Sequence, residues 1–231
     1  MARRRRSKAR RRRPATPRHA ARPAKRKPAR HAPAKRKPSR TAHQPAPPRR
    51  RAASEVAQLG AALAAEPDLA KGLERLLTTA RRLTRAEAGT IYVRRGDVLD
   101  FVAVQNEVLA QQIGEDEVRR RVGARPLPLS ENSIASYVML TRSTVNLRDA
   151  YEVPVDRPYT LFREVDRNAD YRTRSMLAMP LRNAKGRVFG VLQLINAIDG
   201  RGAVRPFSRD EQRMVQELAA LTIRLSGATA G

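Results

Sequence analysis

Residues 174–195 read RSMLAMPLRNAKGRVFGVLQLI. Two apolar runs, 174–182 and 187–195, flank Asn183-Ala184-Lys185-Gly186, residue types that favour a turn. The stretch therefore predicts two antiparallel strands joined by a hairpin. Upstream, residues 89–94 and 98–105 read as a second such pair around Arg95-Gly96-Asp97, and residues 144–147 as a short strand. Apolar residues at spacings of three and four (Leu59, Leu63, Leu73, Leu76, Leu77, Ala80, Leu83) predict helices on either side of Pro67. After Asn106 the chain turns polar. The acid-before-base pairs Glu115/Arg119, Asp116/Arg120 and Glu117/Arg121 predict a short exposed helix there. Residues 133–141 read as another short helix and 149–171 as an irregular, partly helical excursion. A last helix, 209–225, carries Met214, Leu218, Leu221 and Leu225 on one stripe. The order helix, hairpin, excursion, hairpin, helix is that of an α+β domain, an antiparallel sheet with helices packed on it.

This reading starts at residue 53, because residues 1–52 are chemically different. They hold 22 of the 48 lysines and arginines and none of the 22 acidic residues, so the remainder carries 26 basic against 22 acidic side chains. They contain no Val, Ile, Leu, Phe, Tyr or Trp and no glycine, but nine of the 16 prolines. Such a segment cannot bury enough apolar surface to offset chain entropy, so a disordered, polyproline-like basic tail is expected. The block Pro-Ala-Lys-Arg-Lys-Pro occurs twice, at 23–28 and 33–38, which places Lys25, Arg26, Lys27 and Lys35, Arg36, Lys37 in equivalent clusters. Proline-punctuated clusters of this kind resemble linker-histone tails. Each cation that neutralises a phosphate releases counterions, so the tail is expected to bind nucleic acid without sequence preference. It has no aromatic side chain to stack on bases. Anionic membrane surface and polyphosphate are competing partners, and a purely solubilising role is the plain alternative.

The chain has no cysteine, and its three histidines (His19, His31, His43) all lie in the tail. That removes disulfides, thiolate chemistry and the commonest general base from residues 53–231. No stretch approaches the ~18–20 apolar residues of a membrane span, and no apolar segment of a secretory signal follows the Arg-rich start. An organellar transit segment is the alternative for that start. A non-enzymatic protein, cytoplasmic and nucleoid-associated, is the expectation.

Six collinear strings within residues 55–226 carry a family resemblance: Ala86–Tyr92 (AEAGTIY), Pro128–Val138 (PLSENSIASYV), Asn146–Tyr151 (NLRDAY), Phe162–Asp166 (FREVD), Tyr171–Leu177 (YRTRSML) and Gly190–Asn196 (GVLQLIN). Together they resemble the GAF domain, a small-molecule-binding sensory fold, most closely as it occurs in cyclic-nucleotide phosphodiesterases and bacterial adenylyl cyclases. The resemblance implies a GAF/PAS-like antiparallel sheet over residues 53–231 and a ligand pocket. It implies Asn106 as the reader of a base edge, and Ser133, Ile134 and Ala135 at a helix N-terminus whose free N–H groups face an anion. Phe162 would cover the ligand, with Asp166 and Thr173 on the lid. The family's motif of Asn-Lys, Phe and Asp-Glu reads here as Asn196, Phe207, Asp210 and Glu211.

The sequence departs from that motif where the family's lysine is Ala197, which removes its ion pair with Asp210. Asn132 and Ser136 replace two usual glycines, and Ala169 replaces a threonine found in some cyclic-nucleotide binders. Several of these residues also have purely structural readings. Ser208 and Glu211 fit a capping box, Asn106 and Asn196 fit strand-end turns, and Phe162 fits a core position. The last helix's stripe serves either the core or a homodimer seam, and in this family terminal helices pair between subunits. The expected function is a sensory module that binds a small molecule, a cyclic nucleotide among the candidates, or an effector protein. The alternative is a ligand-free dimerising scaffold whose paired tails condense DNA.

Overall fold

The computed structural model describes residues 48–123, 125–130, 132–161, 166–167 and 171–225. Two helices come first, α1 (Pro48–Ala65) and α2 (Leu69–Thr84). Thus α1 takes in residues 48–52, which composition groups with the basic segment. Asp68 caps α2 by accepting from the N–H groups of Ala70 (2.9 Å) and Lys71 (3.2 Å). Strands β1 (Ala86–Arg95) and β2 (Val98–Asn106) follow, then α3 (Glu107–Ile113), α4 (Glu115–Val122), β3 (Leu127–Pro128), α5 (Ile134–Thr141) and β4 (Val145–Leu147). After a 3₁₀ turn at Ala150–Glu152 come β5 (Met176–Arg182), β6 (Val188–Ile198), β7 (Val204–Arg205) and α6 (Arg209–Ala220), which ends in a 3₁₀ turn, Leu221–Arg224. The short elements α3, β3 and β7 have no counterpart in the sequence reading.

All the strand pairs are antiparallel, in the order β3-β2-β1-β6-β5-β4, with β7 beside the end of β6. The hairpin of residues 174–195 is therefore near the middle of the sheet. Its turn is built as its residues suggest. Asn183 Oδ1 accepts from Lys185 N and Arg187 N, both 3.0 Å, and Gly186 supplies a φ of 74°.

Side-chain alternation then divides these strands between two cores. Leu177, Met179 and Leu181 of β5, Leu192 and Leu194 of β6 and Ile91 of β1 face α1, α2 and α6. Met176, Ala178, Val191 and Tyr92 face α5 and the segment after β4 on the other side. Gly190 keeps β1 and β6 in close contact, since a Cβ there would lie 2.4 Å from Tyr92 O.

The stripe on the last helix holds at Leu218 and Leu225 and shifts at its other two positions. Val215, Leu218 and Ala219 are the buried residues of α6, followed by Thr222, whereas Met214 and Leu221 are only half-buried. Leu218 and Leu225 lie in the same core as Leu63 and Leu73. The stripe thus serves packing within the chain. A seam between copies has to use the outer side of these helices. Among the described residues no helix is long and apolar enough to cross a membrane.

Candidate functional site

A cavity of about 140 Å³ opens between the sheet and α5, on the face opposite α1, α2 and α6. Strand alternation supplies its floor: Thr90 and Tyr92 from β1, Met176 from β5, and Gln193 and Ile195 from β6. Ser133, Ile134 and Ala135 close one side, and Asp166 and Thr173 another, so five of the seven pocket residues expected from the resemblance share this cavity. Phe162 lies outside the described residues, as do Ala169 and the tail residues Lys25, Arg26, Lys27, Lys35, Arg36 and Lys37.

Asn106 is placed elsewhere. It is the N-cap of α3, where its Oδ1 accepts from Leu109 N at 3.0 Å, and it borders a separate cleft of about 530 Å³ with Arg81, Gln105 and Glu107. The side chain is committed to a helix start that the sequence reading did not include. It therefore does not face the cavity.

The α5 side is held by two serines. Ser136 N donates to Ser133 Oγ (2.9 Å), Ser133 Oγ donates to Ser136 Oγ (2.8 Å), and Ser136 Oγ donates to Pro128 O (3.2 Å). Ser136, in place of a glycine, thereby ties the helix start to β3. Asn132 does not need a glycine-like backbone either: the positive-φ non-glycine residues among those described are Arg85, Arg142 and Asn196. The N–H groups of Ile134 and Ala135 belong to the first turn of α5, where a helix has no internal acceptors for them.

The opposite side is held by Asp166, which is 4% exposed. Its carboxylate accepts from Thr173 N (2.7 Å), Thr173 Oγ1 (2.8 Å) and Tyr151 Oη (3.0 Å). These bonds fasten the segment leading into β5 across the cavity mouth. Burial pushes the Tyr92 phenol well above its ordinary pKa, an effect its hydrogen bond with Thr90 only partly offsets. Tyr92 is therefore a neutral hydroxyl at physiological pH. Tyr92, Thr90, Gln193 and Tyr151 were not singled out from sequence. The readable signal was a polar residue at alternate positions of an otherwise apolar strand, Thr90 in β1 and Gln193 in β6.

The motif residues do other work. Asn196 is 2% exposed with a φ of 56°. Its Nδ2 lies within hydrogen-bond reach of Glu87 Oε2 (2.8 Å), Tyr171 Oη (2.9 Å) and Arg172 O (2.9 Å), and its Oδ1 accepts from Arg174 N (2.7 Å). Tyr171 Oη also donates to Glu87 Oε2 at 2.9 Å. Burial, then the Glu87 carboxylate, raises the Tyr171 pKa, which keeps that donor protonated. Asn196 is therefore a latch that pins residues 171–174 to β1 and β6, and so positions Thr173.

Phe207 packs in the helix-side core, and Asp210 is exposed beside Arg213. Ser208 and Glu211 form the capping box of α6. A different ion pair lies beside Ala197. Ala197 pairs across the β6–β7 ladder with Arg205, whose Nη1 and Nη2 lie 2.8 and 2.6 Å from the Glu211 oxygens. Burial by itself would raise the Glu211 pKa. The Arg205 guanidinium and the Ser208 N–H and O–H outweigh it and hold the carboxyl below its ordinary range. The motif's ion pair with Asp210 is absent, since Ala197 carries no charge and Asp210 lies beside Arg213.

Among the described residues no cluster of three or more His, Cys, Asp or Glu side chains is placed to hold a metal ion. The cavity offers hydroxyls, one amide, one carboxylate and helix N–H groups to a bound molecule.

The fold and sequence have known relatives. The chain is 35% identical over 88 residues, 38% of its length, to the dual 3',5'-cyclic-AMP and -GMP phosphodiesterase 11A of Takifugu rubripes. It spans only 9% of that relative's length. It superposes on the GAF domain of an Acinetobacter phosphoenolpyruvate-protein phosphotransferase with a TM-score of 0.52 at 17% identity, covering 74% of this chain and 89% of that one. It also superposes on the free methionine-R-sulfoxide reductase of Neisseria meningitidis, with a TM-score of 0.53 at 16% identity and coverages of 75% and 89%. Residues 68–223, more than half of the chain, match the family model for the GAF domain, and the chain belongs to the GAF domain family.

Proposed function

We propose that this protein is a non-enzymatic sensory module whose GAF domain binds a small molecule in the cavity between β1, β6 and α5. The observation that carries the reading is the cavity itself. Two hydrogen-bonded fastenings, Ser133–Ser136 and Asp166–Thr173, hold its opposite sides, and its floor mixes hydroxyl, amide and apolar groups. The fold carries no argument about catalysis, since the Neisseria reductase shares it. The non-enzymatic reading rests on residues 53–231 having neither histidine nor cysteine. Cyclic nucleotides are the first ligands to try, because a relative is a phosphodiesterase for them. At about 140 Å³ the cavity is below the ~300–1,000 Å³ of sites for drug-sized ligands, so a cyclic nucleotide requires the lid to withdraw. Thermal unfolding of the full chain tests this. A ligand at one hundred times its Kd stabilises the folded state by about 2.7 kcal/mol and raises the midpoint by about 5–11 °C. Unchanged midpoints with millimolar cyclic AMP and cyclic GMP remove cyclic nucleotides from the proposal.

The basic segment forms the second part of the proposal, an anchor on nucleic acid that reads charge alone. The full chain is expected to bind duplex DNA irrespective of sequence. The logarithm of affinity should fall linearly with the logarithm of salt concentration, with a slope of about −0.9 per phosphate neutralised. Deleting residues 2–47 leaves α1 intact and should abolish this binding; persistence after the deletion refutes the anchor. We further propose a homodimer through the outer side of α1 and the 221–224 turn. These pack on each other and leave Ile223 52% exposed. An effector protein is the proposed output partner.

A further inference from the structure

We infer that the hairpin end of the domain, lined by residues other than those of the cavity, is a docking cleft for an acidic polypeptide segment carrying apolar side chains. Three cation-bearing parts of the chain meet there, the β1–β2 turn, the C-terminal end of α5 and the β5–β6 turn, beside Leu69 at the start of α2. They enclose a cleft of about 580 Å³, a volume within the ~300–1,000 Å³ range of binding pockets. Each part contributes a cation. Arg94 comes from β1, Arg142 from the end of α5, and Lys185 and Arg187 from the β5–β6 turn, while no acidic side chain lines the cleft. All four residues are exposed. The placement is fixed by backbone geometry, since Arg142 is the left-handed C-cap of α5 and Arg94 Nε donates to Gly96 O at 2.8 Å.

Between the cations the wall is apolar. Met139 and Phe189 line it, and Leu140 stands 58% exposed. Arginine, methionine and aromatic side chains are the types enriched at protein–protein contact surfaces, and Leu140 adds exposed apolar area beside them. A phosphate backbone would use the cations and leave the exposed Leu140 uncovered, whereas Met139 and Phe189 also pack into the cores. The basic segment shows the contrast, having cations and no large aliphatic or aromatic side chains. Acidic groups on the partner would be drawn in by the positive rim, and its apolar side chains would cover the wall.

Methyl NMR of the full chain, labelled at Met, Leu and Val, tests the assignment with three probes. These are a peptide in which leucines alternate with glutamate pairs, the same peptide with serine for leucine, and a duplex oligonucleotide. The leucine peptide is expected to shift the Met139 and Leu140 methyl signals in a saturable way. The serine peptide and the oligonucleotide should bind the basic segment and leave those two signals in place. Lys185→Glu and Leu140→Ser, both at exposed positions, should each weaken the methyl-detected affinity about tenfold. The inference is overturned if the leucine peptide leaves these methyls unmoved. It is equally overturned if the serine peptide or the oligonucleotide moves them as far, or if both variants bind as the parent does.

Discussion

Asn196→Ala is expected to destabilise the domain by about 3–5 kcal/mol, well above the effect of an ordinary surface substitution. Two losses combine. The first is of hydrogen bonds: Arg174 N–H loses its acceptor, and Glu87, Tyr171 and Arg172 O lose a shared donor, in a site where Asn196 itself is 2% exposed. Buried groups left unpaired cost about 1–3 kcal/mol each. The second is of backbone fit, since alanine at a φ of 56° adds roughly 1 kcal/mol that asparagine largely avoids. Asn196→Gly separates the two. It removes the side chain and relaxes the backbone, so it should be about 1 kcal/mol less harmful than alanine. Urea unfolding of both variants checks this. A loss below about 1 kcal/mol for the alanine variant would mean that residues 171–174 are held by something other than this latch.

The second large effect is at Asp166. Asp166→Ala leaves Thr173 N, Thr173 Oγ1 and Tyr151 Oη without their acceptor, and the first two bonds are buried. A cost of about 3 kcal/mol is expected. Asp166→Asn keeps one acceptor oxygen and should lose about half as much. Because Asp166 and Asn196 fasten the same stretch from its two sides, their effects should not add. Once either latch is gone the segment is loosened, and removing the other costs less. A double-mutant cycle in urea reads this coupling. Strict additivity would show that the two latches hold independent pieces of structure.

Much of the fold was legible because period-two alternation survives in β5 and β6. Leu177, Met179 and Leu181 face one core while Met176 and Ala178 face the other, and Leu192/Leu194 against Val191/Gln193 repeat the pattern. What failed was local and short. The strands β3 and β7 have two residues each, too few for any periodicity. Asn106 was assigned to a pocket because its role as cap depends on α3, a seven-residue helix with little apolar pattern. The stripe on α6 was off by one position because Met214 and Val215 are both apolar, and only packing against α2 and β5 decides between them.

The site was legible in its loop and helix residues and silent in its strands. Ser133, Ile134, Ala135, Asp166 and Thr173 were expected from motif strings, and they lie around one cavity. Thr90 and Gln193 were missed because a polar residue in a strand reads as solvent-facing until the second layer over the sheet is known. The ion pair of Arg205 with Glu211 was invisible for a related reason. Arg205 lies opposite Ala197 across the β6–β7 ladder, and adjacency across a ladder is not written in linear spacing.

The central claim is that a small molecule binds between Ala135, Thr90 and Gln193 rather than elsewhere on the domain. Ala135 is 3% exposed and lines the cavity, so Ala135→Leu adds bulk where the ligand would sit. The decisive measurement is the thermal midpoint of the parent chain and of Ala135→Leu, each with and without a ligand found by screening. A rise of several degrees is expected in the parent and none in the variant. A rise that survives in Ala135→Leu would place the ligand outside the cavity and contradict it.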